Sequence, residues 1–204
     1  MNDSIYSPGP GYTTRIRQRS RLRFLAGILV RAANYFILSR RIASARRRGA
    51  RIGKDTVIPR ELAGKSNSNL RIGCHTLVTS ADIDLRSPVV IGDHVIIGQD
   101  VRIFTASHDI DDPEFATVYC GCEIEDYAWI ATGAVILPRC RRIGRGAVVG
   151  AFAVVSRDVP PLAVVVGNPA CEVKTRRCVH DRLVVESLNG YDFHEYWNVS
   201  RMKK

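Results

Sequence analysis

Long apolar runs are missing from this 204-residue chain. The best candidate, Phe24 to Val30, ends at Arg31, far short of the roughly 18 to 20 residues a membrane-crossing helix needs. As a signal peptide it is weak, because no small-x-small cleavage site follows; the expectation is a cytoplasmic protein. Acids are missing too: residues 1 to 54 hold only Asp3 against 13 of the 30 Lys and Arg. The remainder, with 17 basic and 19 acidic residues, is nearly neutral, so the net charge of +10 does not argue for nucleic acid. The six cysteines form no CxxC pair and no zinc spacing with histidine. They are expected to be reduced thiols filling small corner positions, as Cys140 does, and no metal is expected.

What is present is a repeat. Aliphatic residues recur every six positions at Ile91, Ile97 and Ile103, again at Ile124, Ile130 and Ile136, and again at Ile143, Val149 and Val155. Such a period fits neither an isolated helix nor a plain hairpin strand, and it marks a repeat architecture. Four places after each aliphatic residue stands a small or β-branched one: Val95, Val101, Ser107, Ala128, Ala134, Ala147, Ala153 and Val159. The second position is often glycine, as at Gly53, Gly73, Gly92 and Gly98, and is read as accepting turn geometry. Three rows make one triangular coil, so the fold is an all-β solenoid, a parallel β-helix. The spacing leaves its handedness open.

Three segments follow from this pattern: a basic N-terminal arm and helix (1–48), the β-helix (49–170) with an excluded loop (109–121), and a C-terminal extension (171–204). In the first, Leu22, Leu25, Leu29, Ala32 or Ala33 and Phe36 fall at spacings of three and four with arginine around them, the pattern of an amphipathic helix. The simplest expectation is that this stripe packs on the β-helix or a neighbouring subunit. The alternative is peripheral contact with the anionic inner face of a membrane. Residues 1 to about 14 read as loose, Gly64 to Asn69 as a surface loop, 176 to 189 as weakly helical, and Tyr191 to Trp197 as an aromatic cover.

The repeat breaks at Thr105-Ala-Ser-His-Asp109, and the acidic stretch to Gly121 fits no row. A loop expelled from a solenoid is where binding residues are expected. That motif resembles the hexapeptide-repeat acyltransferases, together with the row Ile124 to Pro138, with Ile143 to Ala151, and with Asp158-Val-Pro-Pro161 and Gly167-Asn-Pro-Ala170. The likeness spans roughly Arg46 to Arg176 and is closest to the sugar O-acetyltransferases of the maltose, galactoside, nodulation-factor and colanic-acid type.

The resemblance implies a left-handed β-helix, a homotrimer with sites between subunits, and acetyl-coenzyme A as acyl donor. It implies acetylation of a hydroxyl on a sugar or polysaccharide precursor, with His108 as general base. A hydroxyl is a poor nucleophile at neutral pH, and an imidazole can take its proton during attack on the thioester. Asp84 and Asp109 are candidates to orient the ring. Coenzyme A contacts fall by position on Thr132, Ala151, Ser156, Arg157 and Lys174, with Ala131, Gly133 and Trp129 lining the groove. Arg157 stands where lysine is usual, and Cys171 where a basic residue is common. Asp111, Asp112 and Glu114 are candidates to hydrogen-bond an acceptor. Rival readings are N-acetylation of an amino-sugar or antibiotic, and a noncatalytic trimeric scaffold. The zinc-hydratase reading of this architecture is disfavoured, because His75 and His94 lie 19 apart and no His-x4-His pair exists.

Overall fold

The computed structural model describes residues 11–179 and 183–201. Expectations for residues 1–10 and 180–182 lie outside those described. Most of the chain winds into coils whose short strands stack in three parallel sheets. The first face comprises Arg51–Ile52, Leu70–Ile72, Val89–Ile91, Cys122–Ile124 and Arg142–Ile143. The second face stacks Leu77–Val78, Ile96–Ile97, Trp129–Ile130, Val148–Val149 and Ala163–Val166, with Cys171–Thr175 added antiparallel at its edge. The third holds Arg102–Ile103, Val135–Ile136 and Val154–Val155.

The registers explain the six-residue period. Ile130 stacks between Ile97 and Val149, and Ile136 between Ile103 and Val155. All nine periodic aliphatics from Ile91 to Val155 are buried, as are the small residues Val95, Val101, Ala128, Ala134, Ala147 and Ala153. Ser107 departs from this pattern: it is exposed, because the chain leaves the coil after Thr105.

The glycines at the second row position have a different cause from the expected one. None has a positive φ; that conformation is carried at the corners by Asp55, His75, His94, Asp100, Tyr127 and Phe152. At Gly98 a Cβ would lie 2.7 Å from the Thr132 nitrogen of the next coil. Close approach of stacked backbones therefore excludes a side chain there. The left-handed corners in turn line up their rings: His75 stacks on His94 at 5.0 Å and His94 on Tyr127 at 4.9 Å.

Helix α1 (Tyr12–Arg17) leads into the long helix α2 (Arg21–Arg47), whose N-terminus is capped by the Ser20 hydroxyl. The expected stripe on α2 does not pack on the solenoid. Leu22, Leu25, Leu29 and Phe36 are 81, 57, 72 and 62% exposed, and the inward face is instead Leu38 and Ala45 with the half-buried Phe24, Ile28, Tyr35 and Ile42. Enough apolar residues lie on both sides that α2 meets the length and composition of a membrane-crossing helix.

Part of the expected loop at Gly64 to Asn69 is the end of a short helix, α3 (Arg60–Lys65), which buries Leu62 and Ala63 against the first coil. The C-terminal chain makes a 3-10 turn at Val185–Asn189 and ends in α4 (Phe193–Arg201). That helix covers α1 and α2, not the final coil. Tyr196 is fully buried, stacked on Phe24 at 4.9 Å, and Arg31 pairs with buried Asp192 at 2.8 Å.

Candidate functional site

His108 stands on an antiparallel hairpin, Ala106–His108 against Thr117–Tyr119, thrown out between the third and first faces. Its base is held by buried Thr105, whose nitrogen donates to the Asp84 carboxylate at 3.2 Å and whose carbonyl accepts from the Cys120 nitrogen at 2.8 Å. At the tip the His108 ring lies flat on Phe115, centroids 4.4 Å apart and 7° from parallel. Its Nδ1 lies 2.8 Å from the Phe115 carbonyl oxygen. A carbonyl only accepts, so this bond requires the proton on Nδ1 and leaves the Nε2 lone pair uncommitted. The ring is exposed.

Neither carboxylate expected to orient the ring does so. Asp84 is engaged by Arg86 through two guanidinium nitrogens and the Arg86 backbone, and the Arg86 side-chain bond holds its carboxyl far below the usual range. Asp109 accepts from the Asp111 nitrogen at 3.1 Å, closing its own turn. The Phe115 carbonyl takes the orienting role. Phe115 itself has φ 52°, which turns its backbone back toward the histidine. Residue type alone gave no hint of this, because any residue supplies a carbonyl.

Asp111, Asp112 and Glu114 all lie in the hairpin loop. Asp112 spends its carboxylate on the Glu114 nitrogen at 2.9 Å and its carbonyl on the Phe115 nitrogen at 2.8 Å. It therefore shapes the turn that presents Phe115, while Asp111 and Glu114 are exposed.

The residues expected to contact coenzyme A fall into three groups in a single chain. Ala131, Thr132 and Gly133 form the corner between the second and third faces, and the registers set Ala151 above Thr132, with the Phe152 nitrogen donating to the Thr132 carbonyl at 3.0 Å. Ser156 and Arg157 follow the last strand of the third face, in the corner column from which the His108 hairpin leaves two coils away. Arg157 borders a cleft of about 300 Å³ shared with Asp158, Cys171 and Glu172. Trp129 and Lys174 lie apart on the second face, in one row through Val148 and Val164.

Trp129 and Lys174 border a cleft of about 620 Å³ that no local pattern signals. It lies between the second face and the returning C-terminal chain, with Ile96, Val164, Leu183 and Leu188 on its walls and His94 and Tyr127 at its edge. Buried Glu186 reaches the corner stack from that chain, 3.1 Å from the His75 Nδ1. Its Oε2 has no hydrogen-bond partner among the described residues, and burial pushes its pKa above the ordinary 4.5.

Comparison with models of known families finds no match. Among individual proteins, the chain is 35% identical over 125 residues to a galactoside O-acetyltransferase of Lactococcus lactis, covering 59% of this chain and 51% of that one. It is 32% identical over 130 residues to WcaF of Escherichia coli, named for acetyl transfer in colanic acid biosynthesis, covering 63% and 70%. The chain thus spans about half the length of the first relatives it matches. A solved galactoside acetyltransferase in complex with coenzyme A shares the fold, with a TM-score of 0.53 over 82% of this chain and 92% of that one at 19% identity. A match to seven-tenths of a relative's length, carried on coils that the six-residue period itself dictates, means that the chain belongs to the hexapeptide-repeat acyltransferase family.

Proposed function

We propose that this chain transfers an acetyl group from acetyl-coenzyme A to a hydroxyl of a sugar or polysaccharide precursor, with His108 as general base. The observation that carries the proposal is the bond between His108 Nδ1 and the Phe115 carbonyl. It fixes the ring with a proton on Nδ1, so that the nitrogen left to take a proton from an acceptor is Nε2.

In the proposed step, an acceptor hydroxyl donates its proton to Nε2 as its oxygen attacks the thioester carbonyl. The tetrahedral intermediate then expels the thiolate, and the same nitrogen returns the proton to sulfur. The Phe115 carbonyl also faces the imidazolium that forms between these steps, through the Nδ1 proton it already accepts. Galactoside and colanic-acid relatives support a carbohydrate acceptor. The slender pantetheine arm fits the small residues Ala131, Thr132, Gly133 and Ala151, and Arg157 and Lys174 are cations for the nucleotide phosphates.

The same reading includes a left-handed winding, a cytoplasmic setting and a homotrimer. Subunit packing would unite the groups that one chain leaves apart. Asp111 and Glu114, exposed beside His108, are the proposed acceptor contacts. The test is thiol release from acetyl-coenzyme A across a panel of sugars, nucleotide-sugars and amino-sugars. Release with hydroxyl acceptors that is lost in His108→Asn supports the proposal; release only with amines, or none at all, overturns it.

A further inference from the structure

The outward side of α2 plays no part in the chemistry proposed above. Its inward side is already occupied: Arg31 pairs with Asp192, Asn34 donates to the Gly190 carbonyl at 3.1 Å, and Leu38 and Ala45 are buried. Its outward side carries Leu22, Leu25, Leu29, Val30, Phe36 and Ile37, between 47 and 81% exposed. Ala26 and Ala33 are also exposed and fill the gaps between them. The stripe is roughly 24 Å long, from the rise of an α-helix. So much contiguous apolar surface marks an interaction site.

Charge decides what covers it. The stripe is bracketed by Arg15, Arg17, Arg21 and Arg23 at one end and by Arg40, Arg41, Arg47 and Arg48 at the other, and no acid occurs from residue 4 to residue 54. The α2 helix of a second copy laid on this face, parallel or antiparallel, would set arginine against arginine at both ends. An anionic surface with an apolar layer beneath it meets both demands at once. Crossing the layer is disfavoured, because Arg31 and Asp192 would have to enter the hydrocarbon or part from each other, and α4 would have to leave its seat.

We propose that α2 lies flat on an anionic lipid surface, with its outward apolar side chains at the boundary between headgroups and acyl chains and the arginines at its two ends on lipid phosphates. Docking itself requires no acetyl transfer.

The test is sedimentation of the full-length protein with vesicles of phosphatidylcholine alone and of phosphatidylcholine mixed with phosphatidylglycerol. Binding should be at least about tenfold tighter to the mixed vesicles and should weaken with added salt. Leu25→Glu with Phe36→Glu, both exposed positions, should weaken it by about tenfold or more. Arg40→Gln and Arg47→Gln should each weaken it by about fivefold. Should the glutamate variant fold poorly, Leu29→Trp gives a second readout, since its added emission should shift to the blue with mixed vesicles only. Equal binding to both vesicle types, no binding, or no blue shift would overturn the proposal. So would an oligomer that dissociates in the glutamate variant while vesicle binding is unchanged, which would assign the face to a second copy. None of these readouts depends on enzymatic activity, so this proposal and the acetyl-transfer reading fail separately.

Discussion

Replacing His108 by asparagine separates two things the ring does. The amide nitrogen of the shorter side chain could still donate to the Phe115 carbonyl, as Nδ1 does at 2.8 Å, but nothing would occupy the place of Nε2. Removal of a positioned general base costs about 10² to 10⁴ in rate, equivalent to about 3 to 5 kcal/mol of barrier. The stability cost should be far smaller. The ring is exposed, and its contacts are one hydrogen bond and one face-to-face stack with an exposed Phe115, each of which contributes about 1 kcal/mol and acts within the hairpin alone. The assay is release of free thiol in steady state, paired with thermal melting. A thiol reagent will also react with the exposed Cys171 and Cys178, so a blank without acceptor must be subtracted. The expected result is a kcat lowered by at least about a hundredfold, with the KM for acetyl-coenzyme A and the melting temperature near those of the parent. Activity within about threefold of the parent would refute the general-base role, since a positioned base contributes far more than that.

Three further outcomes follow from the same geometry. Asp84→Asn should destabilise the protein modestly at pH 7, since charge-assisted bonds to Arg86 and Thr105 are weakened where solvent already screens Arg86. Because the folded carboxyl titrates below its ordinary 3.8, its contribution is present above that value and fades as pH falls, so the difference between variant and parent should close in acid denaturation profiles. Glu186 has the opposite sign. Its folded value is raised, so its contribution is complete below about 4.5 and is lost as pH rises through the folded value. Glu186→Gln should therefore leave stability little changed near pH 4 and raise it at pH 8, measured by urea unfolding; a variant less stable at pH 8 would contradict this. Ile130→Ala removes a fully buried side chain stacked between Ile97 and Val149 and should cost about 2 to 5 kcal/mol in urea unfolding. A loss under about 1 kcal/mol would mean the coils collapse around the gap.

The six-residue period was enough to identify the inward residues from Ile91 to Val155 and the coils that stack them. A periodic pattern is local, and stacking identical rows repeats one local environment. The position of His108 was legible for the same reason: an interruption is conspicuous only against a regular background. Glycine at the second position was visible, but its cause was not, because close approach between coils involves residues about 20 or more positions apart, as with Gly98 and Thr132.

The orientation of α2 depended on the tertiary structure as well. Its composition is apolar on two sides, and contacts with residues far along the chain, such as Arg31 with Asp192, 161 residues away, and Phe24 with Tyr196, decide which side turns inward. The partner of His108 is a backbone carbonyl, which carries no side-chain signature at all. Pattern alone thus determined which residues from Ile91 to Val155 turn inward and where the repeat is interrupted. Folding decided which groups face each other across that interruption and which apolar face is left to the outside, since both depend on contacts between segments with no shared local pattern.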